Sequence, residues 1–293
     1  MKNYNYIKKI KYEKCHICGS DKFLLLRKTS RYNFGQCLNC GVFYINPMPK
    51  IQDNVAKKFY DDYSYNKEFI KFRKNYKSLF RLSLKNKLKK IKSLSNQSSM
   101  NKSLNFLDVG CGGGGYVFAA EKLGLCAYGI DIDEKSCSFA KSLGLNIFNG
   151  EISDANYSNN CFDIIQCKQV LEHIYSPNKL LSEIKRILNK NGVLIIDVPN
   201  QKGFIPKMKV LINFKKDEYG FLQPPRHSYA YTIKSLKYLL EKNNLKIINH
   251  FTSYPGNPTY CPLYKQKLLQ KILFKITNIF KGGSILVVYV KKS

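Results

Sequence analysis

The run Phe106–Tyr116, FLDVGCGGGGY, constrains this chain more than any other segment. An apolar strand pattern ends in Asp108, turns through Gly110, Cys111, Gly112, Gly113, Gly114 and Gly115, and enters a helix near Tyr116. Glycines there let the backbone turn sharply and approach a ligand closely. A strand, a glycine loop and a helix in succession point to an α/β sheet that binds its ligand at the carboxyl ends of its strands.

The rest of the chain from Leu104 agrees. Strand patterns fall at Asn105–Val109, Ala127–Asp131, Asn146–Phe148, Phe162–Gln166, Val193–Val198, Lys246–His250 and Ile285–Val290. Between the fourth and fifth, Leu180, Leu181, Ile184, Ile187 and Leu188 share one helical face, and Gly192 ends the following turn. Leu236, Leu239 and Leu240 mark another helix. Strands alternating with helices predict a parallel, doubly wound sheet covered on both faces. Upstream, Leu79, Leu82, Leu84, Leu88 and Ile91 predict one apolar stripe on a connecting helix. A polar linker follows at 93–103.

The loop alone does not name its ligand, because Gly110, Gly112 and Gly115 also satisfy the dinucleotide pattern G-x-G-x-x-G. Two acids decide between ligands. Asp108 stands two residues before the first glycine, where a carboxylate repels a pyrophosphate and attracts the ammonium of a methionine moiety. Asp131 ends the next strand, where its carboxylate can accept both hydroxyls of an adenosine ribose.

With YGIDID (128–133), FDIIQCKQVLEHI (162–174) and LLSEIKRILNKNGVLIIDVPN (180–200), the chain resembles the class I S-adenosylmethionine-dependent methyltransferases. The resemblance implies a Rossmann-like, seven-stranded sheet of order 3-2-1-4-5-7-6 with its last strand antiparallel. It implies donor contacts from Asp108, Gly110, Cys111, Gly112, Gly114, Asp131, Ile132, Glu151, Ile152 and Gln169. Glu151 falls where the family places an acid for the adenine amino group, beside the backbone N–H of Ile152.

Ten cysteines are present, and four form the matched pairs Cys15/Cys18 and Cys37/Cys40, each followed by glycine and separated by 18 residues. Two such pairs can set four thiolates tetrahedrally around a structural zinc. The other six, Cys111, Cys126, Cys137, Cys161, Cys167 and Cys261, read as ordinary small residues of a reducing compartment. The expected organisation is a zinc ribbon at 12–48, a helical connector at 49–103 and a catalytic domain at 104–293. The ribbon, then NPMP and FYDDYSY (59–65), then this core resemble a bacterial subgroup that modifies sugars or small metabolites of surface polysaccharides and natural products.

A hydroxyl acceptor needs a base near the transferred methyl. His173 in LEHI and His227 in PPRHSYAY are the two candidates, with the choice between them open; His250 reads as structural. Arg226, Tyr229 and Tyr231 read equally as contacts for a phosphate or ring and as packing. A related quinone-precursor O-methyltransferase group carries a metal-ligating Glu two residues before Leu-Glu-His. Gln169 stands there in this chain, so no catalytic divalent metal is expected. No Asn/Asp-Pro-Pro-Tyr/Phe segment follows the fourth strand, which argues against methylation of nucleobase amines.

The net charge of +29 favours anionic partners, or it reflects lysine spread along the whole chain. A basic amphipathic helix at 264–281, with Leu268, Leu269, Ile272, Leu273, Ile276, Ile279 and Phe280 on one face, fits packing on the sheet or contact with an anionic membrane surface. No secretory signal and no transmembrane run is read, so a cytoplasmic protein is expected. The leading expectation is methyl transfer to a hydroxyl of a small molecule or saccharide. The alternative is an rRNA methyltransferase with an N-terminal zinc module.

Overall fold

A computed structural model describes residues 8–10, 14–46, 48–50, 67–94, 103–212, 217–253 and 282–293. The expected helix at 264–281, the segment 59–65, most of the linker and Cys261 lie outside the described residues. In chain order the elements begin with β1 (Lys8–Ile10), β2 (Phe23–Lys28), β3 (Asn33–Cys37), β4 (Phe43–Asn46), β5 (Met48–Lys50) and α1 (Lys67–Leu94). The first half of the main sheet comprises β6 (Asn105–Val109), α2 (Gly115–Glu121), β7 (Cys126–Asp131), α3 (Glu134–Ser142), β8 (Ile147–Asn149) and β9 (Phe162–Lys168). The second half comprises α4 (Pro177–Ile187), β10 (Leu188–Pro199), α5 (Phe204–Leu211), β11 (Tyr229–Ala230), α6 (Ile233–Lys242), β12 (Leu245–Ser253) and β13 (Ile285–Lys292).

Seven strands form one sheet in the order β12-β13-β10-β9-β6-β7-β8. Counted from β6, this is the expected 3-2-1-4-5-7-6 arrangement. β13 runs antiparallel to both β10 and β12, and the other pairings are parallel. Strand patterning decides both faces, since successive side chains alternate across a sheet. On β10, Leu194, Ile196 and Val198 join one buried cluster, whereas Val193 and Ile195 join the other. On β13, Leu286, Val288 and Val290 divide in the same way from Ile285, Val287 and Tyr289.

Different elements cover the two faces. The first is covered by Leu181, Ile184 and Ile187 of α4, by Leu236, Leu239 and Leu240 of α6, and by the cysteine module through Ile17 and Tyr44. The second is covered by α1, α2 and α3. Thr232 caps α6 through the Ser235 amide, and Asp133 caps α3 through the Ser136 amide.

Two details correct the sequence reading, and a third adds to it. Leu82 is exposed, and the inward face of α1 carries Phe80, Leu84, Lys87 and Ile91, one residue per turn over about three turns, with a lysine among them. The turn expected to end at Gly192 lies within β10, as a register irregularity between Leu188 and Val193. Finally, the cysteine module is not a separate bead. Its antiparallel β2-β3-β4 sheet gains a fourth strand, β11, from the far end of the chain, with Tyr229 opposite Tyr44 and Ala230 opposite Phe43.

The docking of α1 gives the first prediction. Leu84 is wholly buried. Leu84→Ala should cost about 2–4 kcal/mol of unfolding free energy in urea denaturation. A cost below about 1 kcal/mol, the range of surface substitutions, would show that α1 does not pack on the sheet.

Candidate functional site

The carboxyl ends of β6, β7, β8 and β9 converge on the glycine loop. The amides of Gly110 and Cys111 donate to the Ile130 carbonyl at 2.8 and 3.0 Å, pinning the loop to β7. The Gly112 amide donates to Oδ2 of Asp131 at 2.7 Å, and the Asp133 amide donates to Oδ1 at 2.9 Å. Asp131 therefore shapes the loop while each oxygen keeps acceptor capacity for a ribose hydroxyl. Gly110 has φ +72°, and a Cβ there would lie 2.4 Å from Cγ2 of Val170, so backbone conformation and close approach both require glycine.

The acid at the end of β6 is buried. Asp108 is 3% exposed, and burial pushes its carboxyl up to about 7 against the pull of a hydrogen bond from Gln166. Asp108 and Gln166 are register partners on neighbouring strands, and Nε2 of Gln166 donates to Oδ1 of Asp108 at 2.8 Å. Farther along the same edge, Lys168 pairs with Asp197 at 2.7 Å, and Gln169 Nε2 donates to the other Asp197 oxygen at 3.1 Å. Gln169 has φ +53°, a rare conformation for a long side chain, held by these contacts and by its amide on the Asp197 carbonyl.

Of the other residues implied for the donor, Ile132 is half-exposed, Glu151 is exposed, and Ile152 is buried beside it. Cys111 is buried with its thiol turned to the Gly112 carbonyl, and Gly114 caps α2 with φ +75°. All of them lie along the same edge of the sheet.

His173 and His227, distant in sequence, meet edge to face with ring centroids 4.8 Å apart. Their Nδ1 atoms lie 2.7 Å from the Arg226 carbonyl and 3.1 Å from the Phe221 carbonyl. A carbonyl only accepts, so each Nδ1 carries the proton and each Nε2 keeps its lone pair. Burial is the main cause lowering His173 to about 4 and His227 to about 3, so both rings are neutral at pH 7. Glu172 completes this corner. Ligand atoms of Glu172, His173 and His227 all lie within 4.8 Å of one another. Glu172 is wholly buried, neither carboxyl oxygen has a hydrogen-bond partner among the described residues, and burial raises it to about 8.

Tyr229 and Tyr231 are 1% and 0% exposed, which assigns them to packing rather than to ring contacts with a ligand. His250 lies exposed on β12.

The four cysteines come together as expected. Their sulfurs lie within 4.8 Å of one another, with Cys15–Cys40 at 3.7 Å and Cys18–Cys37 at 3.5 Å. Tetrahedral zinc with Zn–S of about 2.3 Å puts sulfurs about 3.8 Å apart, so this donor set fits that ion. His16 is outside the cluster and packs edge-on against Tyr175. The module is held by Asn178 Nδ2 on the His16 carbonyl and by Lys242 Nζ on the Ile17 carbonyl.

Sequence reasoning missed Gln166 and Lys87. Gln166 sits at an inward position of an otherwise apolar strand, and Lys87 at an inward position of α1. A polar residue in phase with an apolar stripe is the available signal for both.

Comparison with known proteins adds the following. A family model described as a methyltransferase domain matches residues 100–244. The ubiquinone biosynthesis O-methyltransferase of Coxiella burnetii (strain RSA 331 / Henzerling II) is 28% identical over 158 residues, covering 50% of this chain and 66% of that protein. The alignment thus spans just under two thirds of that relative. Among solved structures, a chain of the Haloferax volcanii complex with the Trm112 methyltransferase activator superposes with TM-score 0.55 and 11% identity, over 80% of this chain and 96% of that one. Magnesium protoporphyrin IX methyltransferase from Synechocystis PCC 6803, solved with bound SAH, gives TM-score 0.51 and 14% identity, over 83% and 100%. At such identities the structural likeness establishes a shared fold.

Glu172 generates a pH prediction. Its folded-state value lies above the ordinary carboxylate value of 4.5, so the buried acid favours folding below that pH. That contribution is lost as pH rises through about 8. Glu172→Gln removes the ionisation, so the variant should gain thermal stability relative to the parent between pH 6 and pH 9. A melting-temperature difference that stays flat across that range would show that Glu172 ionises freely in the folded state.

Proposed function

A methyltransferase-domain family model matches residues 100–244, and on that premise we propose that this chain transfers a methyl group from S-adenosylmethionine to a hydroxyl of a small-molecule or saccharide acceptor. The observation that carries the acceptor chemistry is the neutral pair His173 and His227 beside the sheet edge that bears Asp108 and Asp131. S-adenosylmethionine supplies a methyl carbon already activated on a cationic sulfur. The protein's tasks are then alignment and proton removal. Asp108 and the loop glycines hold the methionine part, Asp131 holds the ribose, and Glu151 with the Ile152 amide holds the adenine. On this reading the donor would supply the methyl group from its sulfonium, and the acceptor hydroxyl would give its proton to Nε2 of His173 or His227. The name of the Coxiella burnetii relative supports oxygen as the nucleophile.

The four thiolates hold a structural zinc in this reading, with no open position for substrate. The units remain a ribbon at 12–48, a connector at 49–103 and a transferase domain at 104–293, with β11 stitching the last to the first. A saccharide of surface-polysaccharide biosynthesis is the acceptor class we favour, and a cytoplasmic location goes with the free thiols. No helix among the described residues is long and apolar enough to cross a membrane. The net charge of +29 supports anionic acceptors and keeps RNA as the second reading.

Incubation with methyl-labelled S-adenosylmethionine and either nucleotide-sugar and glycan extracts or RNA separates the two readings. Label should enter the sugar fraction, and Asp131→Ala should weaken donor binding by about 1.5–3 kcal/mol, the range for a charged hydrogen-bond partner. Transfer to RNA alone would reject the saccharide reading. Elemental analysis should find one zinc per chain. Cys15→Ser should lose it and lower the melting temperature, whereas a metal-free, equally stable parent protein would rule out the structural zinc.

A further inference from the structure

Lys87 lies on the inward face of α1 with 1% of its surface exposed. A lysine is almost never buried so completely without partners for its charge. Its ammonium donates to Oε1 of Gln166 and lies 4.6 Å from the centre of the Tyr116 ring. Gln166, wholly buried itself, passes its own N–H to Asp108 at 2.8 Å. Two hydrogen bonds therefore connect a cation on the connector helix to the acid at the end of β6.

The pleat explains the meeting. Phe106 and Asp108 of β6, and Ile164 and Gln166 of β9, alternate onto the face that α1 covers, where Phe106 and Ile164 cluster with Phe80, Leu84 and Ile91. One turn before Lys87, Ser83 bonds the Tyr116 hydroxyl at 3.0 Å, and Phe80 packs edge-on against the same ring at 5.0 Å. α1 is thus fixed against the first turn of the helix that follows the glycine loop.

We propose that Lys87 is a positioning residue for the methyl donor: acting through Gln166, it holds Asp108 as the anion that receives the ammonium of the donor's methionine moiety. The proposal rests on the donor reading of the loop and extends it, because it makes the connector helix a component of the donor site. In an apolar surrounding, a carboxyl tends to keep its proton. Burial accordingly raises Asp108 to about 7, while the Gln166 hydrogen bond and Lys87 pull it back. Asp131 on β7 opposes ionisation, and Lys168 on β9 favours it less than Lys87 does. Tyr116 on α2 packs on the same side, its phenol held protonated by burial, whereas Cys167 of β9 points to the opposite face of the sheet. Lys168 is already engaged with Asp197.

The test is calorimetric titration of the full chain with S-adenosylmethionine between pH 5.5 and 9, beside thermal melts. For the parent protein, affinity should rise with pH as Asp108 ionises, and fall again as the donor's amine deprotonates above about 8. In Lys87→Met the acid limb should move up by about one pH unit or more, the usual effect of removing an opposite charge, with binding at pH 7 weaker by about tenfold. Lys87→Gln keeps an N–H donor without the charge and should show the same shift; Lys87→Arg should restore the parent profile. A strut that merely supported the fold would change the melts and leave the acid limb in place. An unmoved limb in folded Lys87→Met or Lys87→Gln overturns the proposal. If Lys87→Met does not fold, the Gln and Arg variants decide: equal affinities at pH 7 overturn it, and weaker binding by Gln alone supports it. No binding by the parent protein at any pH overturns the donor reading and this proposal with it.

Discussion

A carboxylate held in the dry end of a central strand is the constraint around which this molecule is arranged. Asp108 lies near the end of β6, an interior strand paired with β9 on one side and β7 on the other, and it has almost no contact with water. Burial of a charge costs several kcal/mol unless partners offset it. The partners come from separate parts of the chain: Gln166 from β9, Lys87 from α1, and the Lys168–Asp197 pair farther along the same face. These polar residues form a line across the carboxyl ends of three strands, above the apolar layer that α1 and α2 cover. The glycine loop, the register of β6 with β9 and the docking of α1 all bear on one group.

The histidine corner follows a different logic. His173 comes just after β9, and His227 comes just before β11, a strand too short to stand by itself. β11 is kept in place by pairing with β4 of the cysteine module, and the Ile45 amide donates to the Ser228 carbonyl beside it. The loop after His173 is held from the same module, since His16 packs on Tyr175 and Tyr229 reaches the Tyr175 carbonyl. Four cysteines near the start of the chain therefore help to shape a corner built from residues that follow them by well over a hundred positions. The link runs through β11 and Tyr175, which the module's sheet and His16 hold next to the histidine pair in sequence.

The glycine loop and its strands were largely legible from sequence, and for a local reason. Strand, acid, glycine loop and helix are contiguous, and their spacing carries the geometry of the turn whatever surrounds it. Asp131, on the next strand, lies about one βα unit away, where a short crossover leaves little freedom. The alternation of β10 and β13 likewise announced burial on both faces. The stripe on α1 was read less well. Helical spacing set Leu82 on the inward stripe, but Phe80, Leu84, Lys87 and Ile91 turn inward, because a long lysine stem packs as a hydrocarbon once its ammonium finds an acceptor.

The sequence by itself determined the kind of loop, the order of strands and helices, and a four-cysteine cluster, since each depends on residues close together along the chain. Only the tertiary structure decided that His173 and His227 share one corner, that β11 completes the sheet of the cysteine module, and that Lys87 reaches Asp108 through Gln166. Those meetings depend on strand register and on which face each helix covers. Register is a property of paired strands, and facing is a property of packed layers, so neither can be read from one segment alone.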